Sequence, residues 1–325
     1  MPVRNLSFDE VIDGLTAQRR PHFKDYLAMY SSWFGGIITD PALMMVPLDD
    51  HLVHRGDGIF EAFKCSAWKV YALSHHLDRL EKSASALALA LPVSRPALTE
   101  IILETIRAGN SADCLIRLFV SRGPGGFSVN PKESIASQVY VVVTAFPHPA
   151  PEDYERGVVL ATSPIPVRID RFATIKTCNY LHNVLMKLTA NEAGVDYAVS
   201  LDENGFLAES ATENVGIVTR GGEFLMPRFA QILKGTTITR AAELANGLLG
   251  RELTSVAEAD IPREQAYDAA EMLVFGTGMD VLPVVEYDGR TIGDGKPGPV
   301  FKKLLELLLA DQTGNAEMLT PVKGA

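Results

Sequence analysis

Ala173-Thr174-Ile175-Lys176-Thr177-Cys178-Asn179-Tyr180 stands between two readable patterns. Upstream, Val158 to Thr162 is a short apolar run of strand type. Downstream, Leu181, Val184, Leu185 and Leu188 recur at helical spacing. That spacing predicts a helix burying this stripe, with Lys176 at its edge and Tyr180 one helical turn further on. A lysine beside apolar packing loses hydration, which disfavours its ammonium form. A neutral lysine amine is a nucleophile toward aldehydes. The plain alternative is a solvated lysine at a helix start, and only the rest of the chain decides between the two.

Working outward toward the N-terminus, Pro147-His148-Pro149-Ala150-Pro151 is a stiff, extended connection and marks a domain boundary. Before it, Leu115 to Ser121 and Val139 to Phe146 read as strands around a glycine-rich loop, Arg122-Gly123-Pro124-Gly125-Gly126-Phe127-Ser128. Leu98, Ile101, Ile102, Thr105 and Ile106 predict a helix ended by Gly109. Leu77, Leu80, Ala84, Leu87 and Leu91 predict another, with Ser74 as its cap. Ile59, Glu61 and Phe63 alternate with Phe60, Ala62 and Lys64, as in a half-buried strand. Trp68 to Tyr71 is its returning partner. Ser7-Phe8-Asp9-Glu10 has the form of a capping box for a short helix. Residues 1–40 read as an extension of helix and loop.

Toward the C-terminus, Tyr197 to Leu201 and Phe206 to Glu209 flank an Asn204-Gly205 turn, a hairpin signal. Val215 to Thr219 and Glu223 to Met226 flank Gly221-Gly222 in the same way. Met272 to Phe275 and Leu282 to Tyr287 add strands, and Val300, Phe301, Leu304, Leu305 and Leu308 stripe a closing helix. Strands and helices do not alternate strictly, which disfavours a Rossmann sheet.

The Lys176 stretch, the segment Ala208-Glu209-Ser210-Ala211-Thr212-Glu213-Asn214, the turn Leu233-Lys234-Gly235-Thr236-Thr237 and the turn Gly276-Thr277-Gly278 together resemble fold type IV pyridoxal-phosphate enzymes. These are the D-amino-acid transaminases, branched-chain aminotransferases and aminodeoxychorismate lyases. The resemblance covers roughly 47–308. It implies an α+β, two-domain enzyme: a small α/β domain at 41–148 after the 1–40 extension, and a larger pseudo-barrel domain at 149–325 that binds pyridoxal 5'-phosphate.

By the same resemblance, Lys176 is the Schiff-base lysine and the general base. Tyr180 hydrogen-bonds the cofactor's ring hydroxyl oxygen. Glu209 faces the pyridine nitrogen and keeps it protonated, since an opposite charge favours the charged form. Arg79, in His76-Leu77-Asp78-Arg79-Leu80, grips the phosphate with its two-pronged guanidinium. Thr236 and Thr237 open a helix whose unpaired N–H groups favour an anion, and Thr277 lies where the backbone can form a nest. Gly56-Asp57-Gly58-Ile59-Phe60-Glu61 is similar to the family's first strand, whose Phe60 and Lys64 face lines the substrate pocket. Arg55 and Lys64 are candidates for the substrate carboxylate. The family's site lies between the domains near a dimer interface, so a homodimer is implied.

Composition narrows the remaining classes. The chain has 325 residues, 47% hydrophobic and 22% charged, ample for two domains. Its 40 acidic and 30 basic residues leave a charge of −10, which argues against nucleic acid and anionic membranes as partners. No apolar run is long enough for a membrane span, and no basic-then-apolar signal pattern opens the chain. Cys65, Cys114 and Cys178 are widely spaced and odd in number, which suits a reducing, cytoplasmic setting. No Cys/His cluster has metal-ligand spacing. The expected activity is transamination between an amino acid and a 2-oxo acid. Two rivals stand beside it. One is an aminodeoxychorismate lyase releasing pyruvate, supported by the Ser121-to-Ser128 loop. The other is a non-catalytic pyridoxal-phosphate-binding protein. The Arg-x-His pair of the best-known D-amino-acid transaminases is absent from that loop.

Overall fold

The computed structural model describes residues 3–168 and 172–322. The chain divides into two compact units, one of residues 1–71, 77–146 and 320–325, the other of 72–76 and 147–319.

The first unit is a seven-stranded sheet with helices on one face. Its strands are β1 (Tyr26–Ser31), β2 (Gly36–Ile38), β3 (Gly58–Ser66), β4 (Lys69–Tyr71), β5 (Cys114–Ser121), β6 (Gln138–Ala145) and β16 (Leu319–Pro321), in the order β16-β4-β3-β5-β6-β1-β2. The residues before 40 are therefore more than helix and loop. After α1 (Phe8–Thr16), which carries the expected Ser7/Glu10 capping box, they supply the two strands that finish one side of the sheet, β1 against β6 and β2 at the edge. Apolar alternation could not announce them, because strands this short and partly exposed leave no period to read.

On β3, Ile59, Phe63 and Cys65 share the packed face with Glu61, paired in register with Val120, Ile116, Cys114 and Leu118 of β5. All eight are essentially buried. Helix α3 (Leu73–Ala86) buries Leu77, Leu80 and Ala84. It stops before Leu87 and Leu91, which the leucine stripe would have included. Ser74 lies inside it rather than at its cap. Helix α4 (Arg95–Gly109) buries Leu98, Ile102 and Ile106 and turns off at Asn110, in the left-handed conformation.

In the second unit, β7 (Val158–Thr162), β8 (Tyr197–Leu201), β9 (Leu207–Ser210), β10 (Asn214–Val218), β13 (Glu271–Gly276) and β14 (Asp280–Tyr287) close into a ring. The ring order is β10-β13-β14-β7-β8-β9, and an Asn214–Glu209 pairing joins its ends. Strands β11 (Glu223–Pro227) and β12 (Ser255–Ala259) extend it beyond β10. Val158, Leu160, Val199, Leu207, Val215, Ile217, Met272, Val274, Leu282 and Val284 alternate along the six ring strands and pack together inside. The opposite faces of β11, β13 and β14 carry Phe224, Met226, Leu273, Phe275 and Val281. These pack under α7 (Thr236–Ala245) and α9 (Pro299–Gly314) through Ile238, Ala241, Leu304 and Leu308.

Helix α6 (Leu181–Ala193) reverses the sequence expectation. It buries Asn183, Met186 and Ala190. The apolar stripe Leu181, Val184, Leu185 and Leu188 is exposed, at 66%, 59%, 40% and 48%. Periodicity reports that a face is apolar, but not what covers it.

Candidate active site

Lys176 lies four residues outside α6, in an irregular segment where Thr177 N–H donates to the Ile175 carbonyl. Tyr180 is the helix N-cap, with φ −108° and ψ 12°. The two residues therefore do not share a helical turn as the sequence suggested. The bend still brings them together, with Lys176 Nζ 3.4 Å from the Tyr180 hydroxyl. Lys176 is buried although it carries an amine.

Glu209 closes the arrangement from the ring. It lies on β9 at the pairing with Asn214, and Asn214 pairs in turn with Phe275 of β13. The turn Gly276-Thr277-Gly278 follows Phe275, so Glu209, Asn214 and Thr277 lie at one end of three adjacent strands. The loop from β11 to α7 is tied to the same end. Leu233 N–H donates to Glu209 Oε2 at 3.1 Å, and the Leu233 carbonyl accepts from Asn214 Nδ2 at 2.9 Å. Three residues further, α7 begins at Thr236 and Thr237 with Gly235 as an N-cap that has no capping side chain. A Cβ at Gly235 would come 1.9 Å from Asn214 Oδ1, so glycine is what permits this approach. The α7 start thus presents uncapped N–H groups, a favourable place for an anion. Thr236 Oγ1 lies 3.4 Å from His76 Nε2.

Burial pushes the Glu209 carboxyl up to about 7, against the pull of Arg168, the Leu233 N–H and Lys176. The unit thus gathers a buried amine, a phenol, a buried carboxylate and an anion-favouring helix start.

The remaining candidates belong to the first unit. Arg79 makes a two-pronged pair with buried Glu61, Nε to Oε1 at 2.8 Å and Nη2 to Oε2 at 2.6 Å. Asp78, its sequence neighbour, pairs with Arg95 instead. Phe60 and Lys64 share the sheet face opposite Ile59, and Phe60 stacks on Phe119 with centroids 5.9 Å apart. Arg117 of β5, opposite Ala62, is on this face as well. Arg55 donates to the carbonyls of His54 and Phe127. Asp57 pairs with Arg122 rather than with Arg55. Arg122 also donates to the carbonyls of Leu87 and Ala88, which anchors the glycine-rich loop.

Sequence reasoning passed over Arg168, Asn214, Leu233, Glu61 and Arg117. Asn214 and Leu233 end and open two of the quoted motifs, but they make their contacts through an amide and a backbone N–H, which residue type alone does not mark. Alternation along β5 could have placed Arg117, once β5 was aligned with β3.

The family described as amino-transferase class IV matches residues 58–287. A D-amino-acid transaminase, chloroplastic, of Arabidopsis thaliana is 39% identical over 293 residues, 89% of this chain and 77% of that one. The branched-chain-amino-acid aminotransferase of Escherichia coli K12 is 30% identical over 299 residues, 88% of this chain and 94% of that one. Among solved structures, the T.th. branched-chain amino acid aminotransferase with pyridoxamine 5'-phosphate superposes with a TM-score of 0.84 at 28% identity. It covers 92% of this chain and 99% of its own. The chain therefore belongs to the class IV aminotransferases. It has their fold type IV architecture and is a transaminase.

Proposed function

We propose that this chain transfers an amino group between an amino acid and a 2-oxo acid with pyridoxal 5'-phosphate as its cofactor. The observation that carries this reading is the convergence of Lys176, Tyr180, Glu209 and the uncapped start of α7 within one unit. The cofactor fits that donor set: an amine for its aldehyde, a buried carboxylate for its ring nitrogen, and free N–H groups at a glycine-permitted helix start for its phosphate.

When bound, the cofactor supplies an electron-withdrawing ring that eases loss of the substrate's Cα proton. Lys176 Nζ would hold the cofactor's aldehyde carbon until a substrate amine displaces it, and the freed amine would then take the Cα proton and return it to that former aldehyde carbon. Tyr180 fixes the ring through its hydroxyl, and Glu209 holds the proton on the ring nitrogen. Thr236, Thr237 and Thr277 serve the phosphate. Arg79 shares that role, with Glu61 keeping its guanidinium oriented. Lys64, with Phe60 and Arg117 on the same sheet face, receives the substrate. Arg55 belongs at the edge of this group, since its guanidinium already holds the Phe127 carbonyl.

The protein works as a homodimer in this reading. The exposed α6 stripe is apolar surface that a second copy would cover. Cys65, Cys114 and Cys178 are widely spaced and odd in number, as suits a reducing compartment such as the cytoplasm. No helix among the described residues is long and apolar enough to cross a membrane.

The test is a half-reaction on cofactor-loaded protein with single D- or L-amino acids and no acceptor. The expected result is loss of the visible band with one set and release of an equal amount of 2-oxo acid. Pyruvate release from aminodeoxychorismate, with no response to any amino acid, would overturn the reading in favour of the lyase. Lys176→Ala should remove both the band and turnover.

A further inference from the structure

We propose that Arg168 is a positioning residue that acts through Glu209, supplying the strongest positive charge that favours the ionised form of this buried carboxylate. This rests on the reading of Glu209 given above.

The placement of Arg168 follows from its neighbour. Val167 N–H donates to the Leu201 carbonyl at 3.2 Å, pinning the chain to the end of β8. The Val167 side chain packs in a small core with Ala208 and Ile232. These three residues directly precede Arg168, Glu209 and Leu233. One apolar contact thus gathers the arginine, the carboxylate and the N–H that donates to the carboxylate. The guanidinium carbon of Arg168 lies 5.6 Å from the Tyr180 ring centroid, and Lys176 Nζ lies 5.8 Å from the same centroid.

Arg168 Nε is buried and has no hydrogen-bond partner among the described residues, nor is Arg168 in an ion pair there. Arg168 as a whole is half-buried, so its charge stays partly solvated while it acts on Glu209 through space. The charged and titratable groups around Glu209 are Arg168, Lys176 and Glu213, and Arg168 is the strongest of the attractive influences. Burial, and secondarily Arg168, hold the neighbouring His182 imidazole down, so the field of Arg168 reaches the start of α6. Among the described residues, Arg168 and Lys176 are the two cations that act on Glu209.

A plain alternative exists. Arg168 also lines a cavity of about 270 Å³ with Asp202 and Glu203, and could serve only to fill that wall. The two roles predict different results.

The test compares Arg168→Met, Arg168→Lys, Glu209→Gln and Arg168→Met/Glu209→Gln in cofactor-loaded protein. Three quantities are read: the pH titration of the visible band, the cofactor dissociation constant, and kcat against KM. With Arg168→Met, the titration should move and kcat should fall about tenfold or more, one unit of pKa being tenfold, with KM little changed. Arg168→Lys should recover part of the loss. In the Glu209→Gln background, Arg168→Met should add nothing further. An unmoved titration and kcat in Arg168→Met would overturn the inference, and so would a full additional loss in the double variant. Neither result touches the transaminase reading, which fails only if Lys176→Ala keeps the band and turnover.

Discussion

Replacing Glu209 by glutamine should move stability and activity in opposite directions. The carboxyl is buried on β9 and is pushed up to about 7 from an ordinary 4.5. A native-state value above the unfolded one means that stability is fully present below about pH 4.5. It is lost as pH rises through the native value near 7. Ionising such a group in the folded chain costs about 3 kcal/mol at pH 8 and under about 1 kcal/mol at pH 5.

Glutamine cannot ionise, and its side-chain oxygen can still accept from the Leu233 N–H, now 3.1 Å from Glu209 Oε2. Cofactor-free Glu209→Gln should therefore be more stable than the parent at pH 8. At the usual unfolding entropy per residue this amounts to roughly 4 °C in Tm for a chain of this length. At pH 5 the difference should shrink to about 1 °C. With cofactor, the same variant should lose about a hundredfold in kcat, because nothing holds the proton on the ring nitrogen. Calorimetry of the cofactor-free protein at both pH values is the assay. A lower Tm at pH 8, or an equal difference at pH 5 and pH 8, would refute the reasoning.

Two further outcomes are expected. Glu271 is buried, and its two oxygens accept from the Val300 and Phe301 N–H groups at the start of α9, each at 2.8 Å. Glu271→Ala leaves both donors without a partner and should cost about 3 kcal/mol, seen as a lower urea midpoint with little change in slope. The neighbouring Cys65 thiol, and then burial, push the Cys114 thiol up above the ordinary range, and Cys65 and Cys114 are both buried. A thiol reagent should therefore modify Cys178 alone in the native protein and all three cysteines in denaturant. Rapid modification of all three without denaturant would contradict this packing.

Local pattern carried much of the architecture. Val158 to Thr162 and Tyr197 to Leu201 alternate or cluster as their strands require, and both strands have those bounds in the structure. The Asn204-Gly205 and Gly221-Gly222 turns sit where the chain reverses, with Gly205 and Gly222 at positive φ. Short edge strands such as β2, β12 and β16 were missed because three to five half-exposed residues hold no period. The α6 stripe was readable as a helix face, yet its exposure was not. The same spacing serves a core and an interface.

Read in one dimension, the chain supplies the candidate groups and their order: an amine at Lys176, a phenol at Tyr180, a carboxylate at Glu209, and glycine–threonine turns at Gly235 and Gly276. Their company is set by the folded chain. The Asn214 bridge to Leu233, the Glu61 hold on Arg79 and the seating of Arg168 behind the Val167 contact all join residues far apart in the chain. The reason is physical. A side chain's chemistry is local and survives in a one-dimensional reading. Desolvation and pairing depend on which distant segments the closed ring brings together.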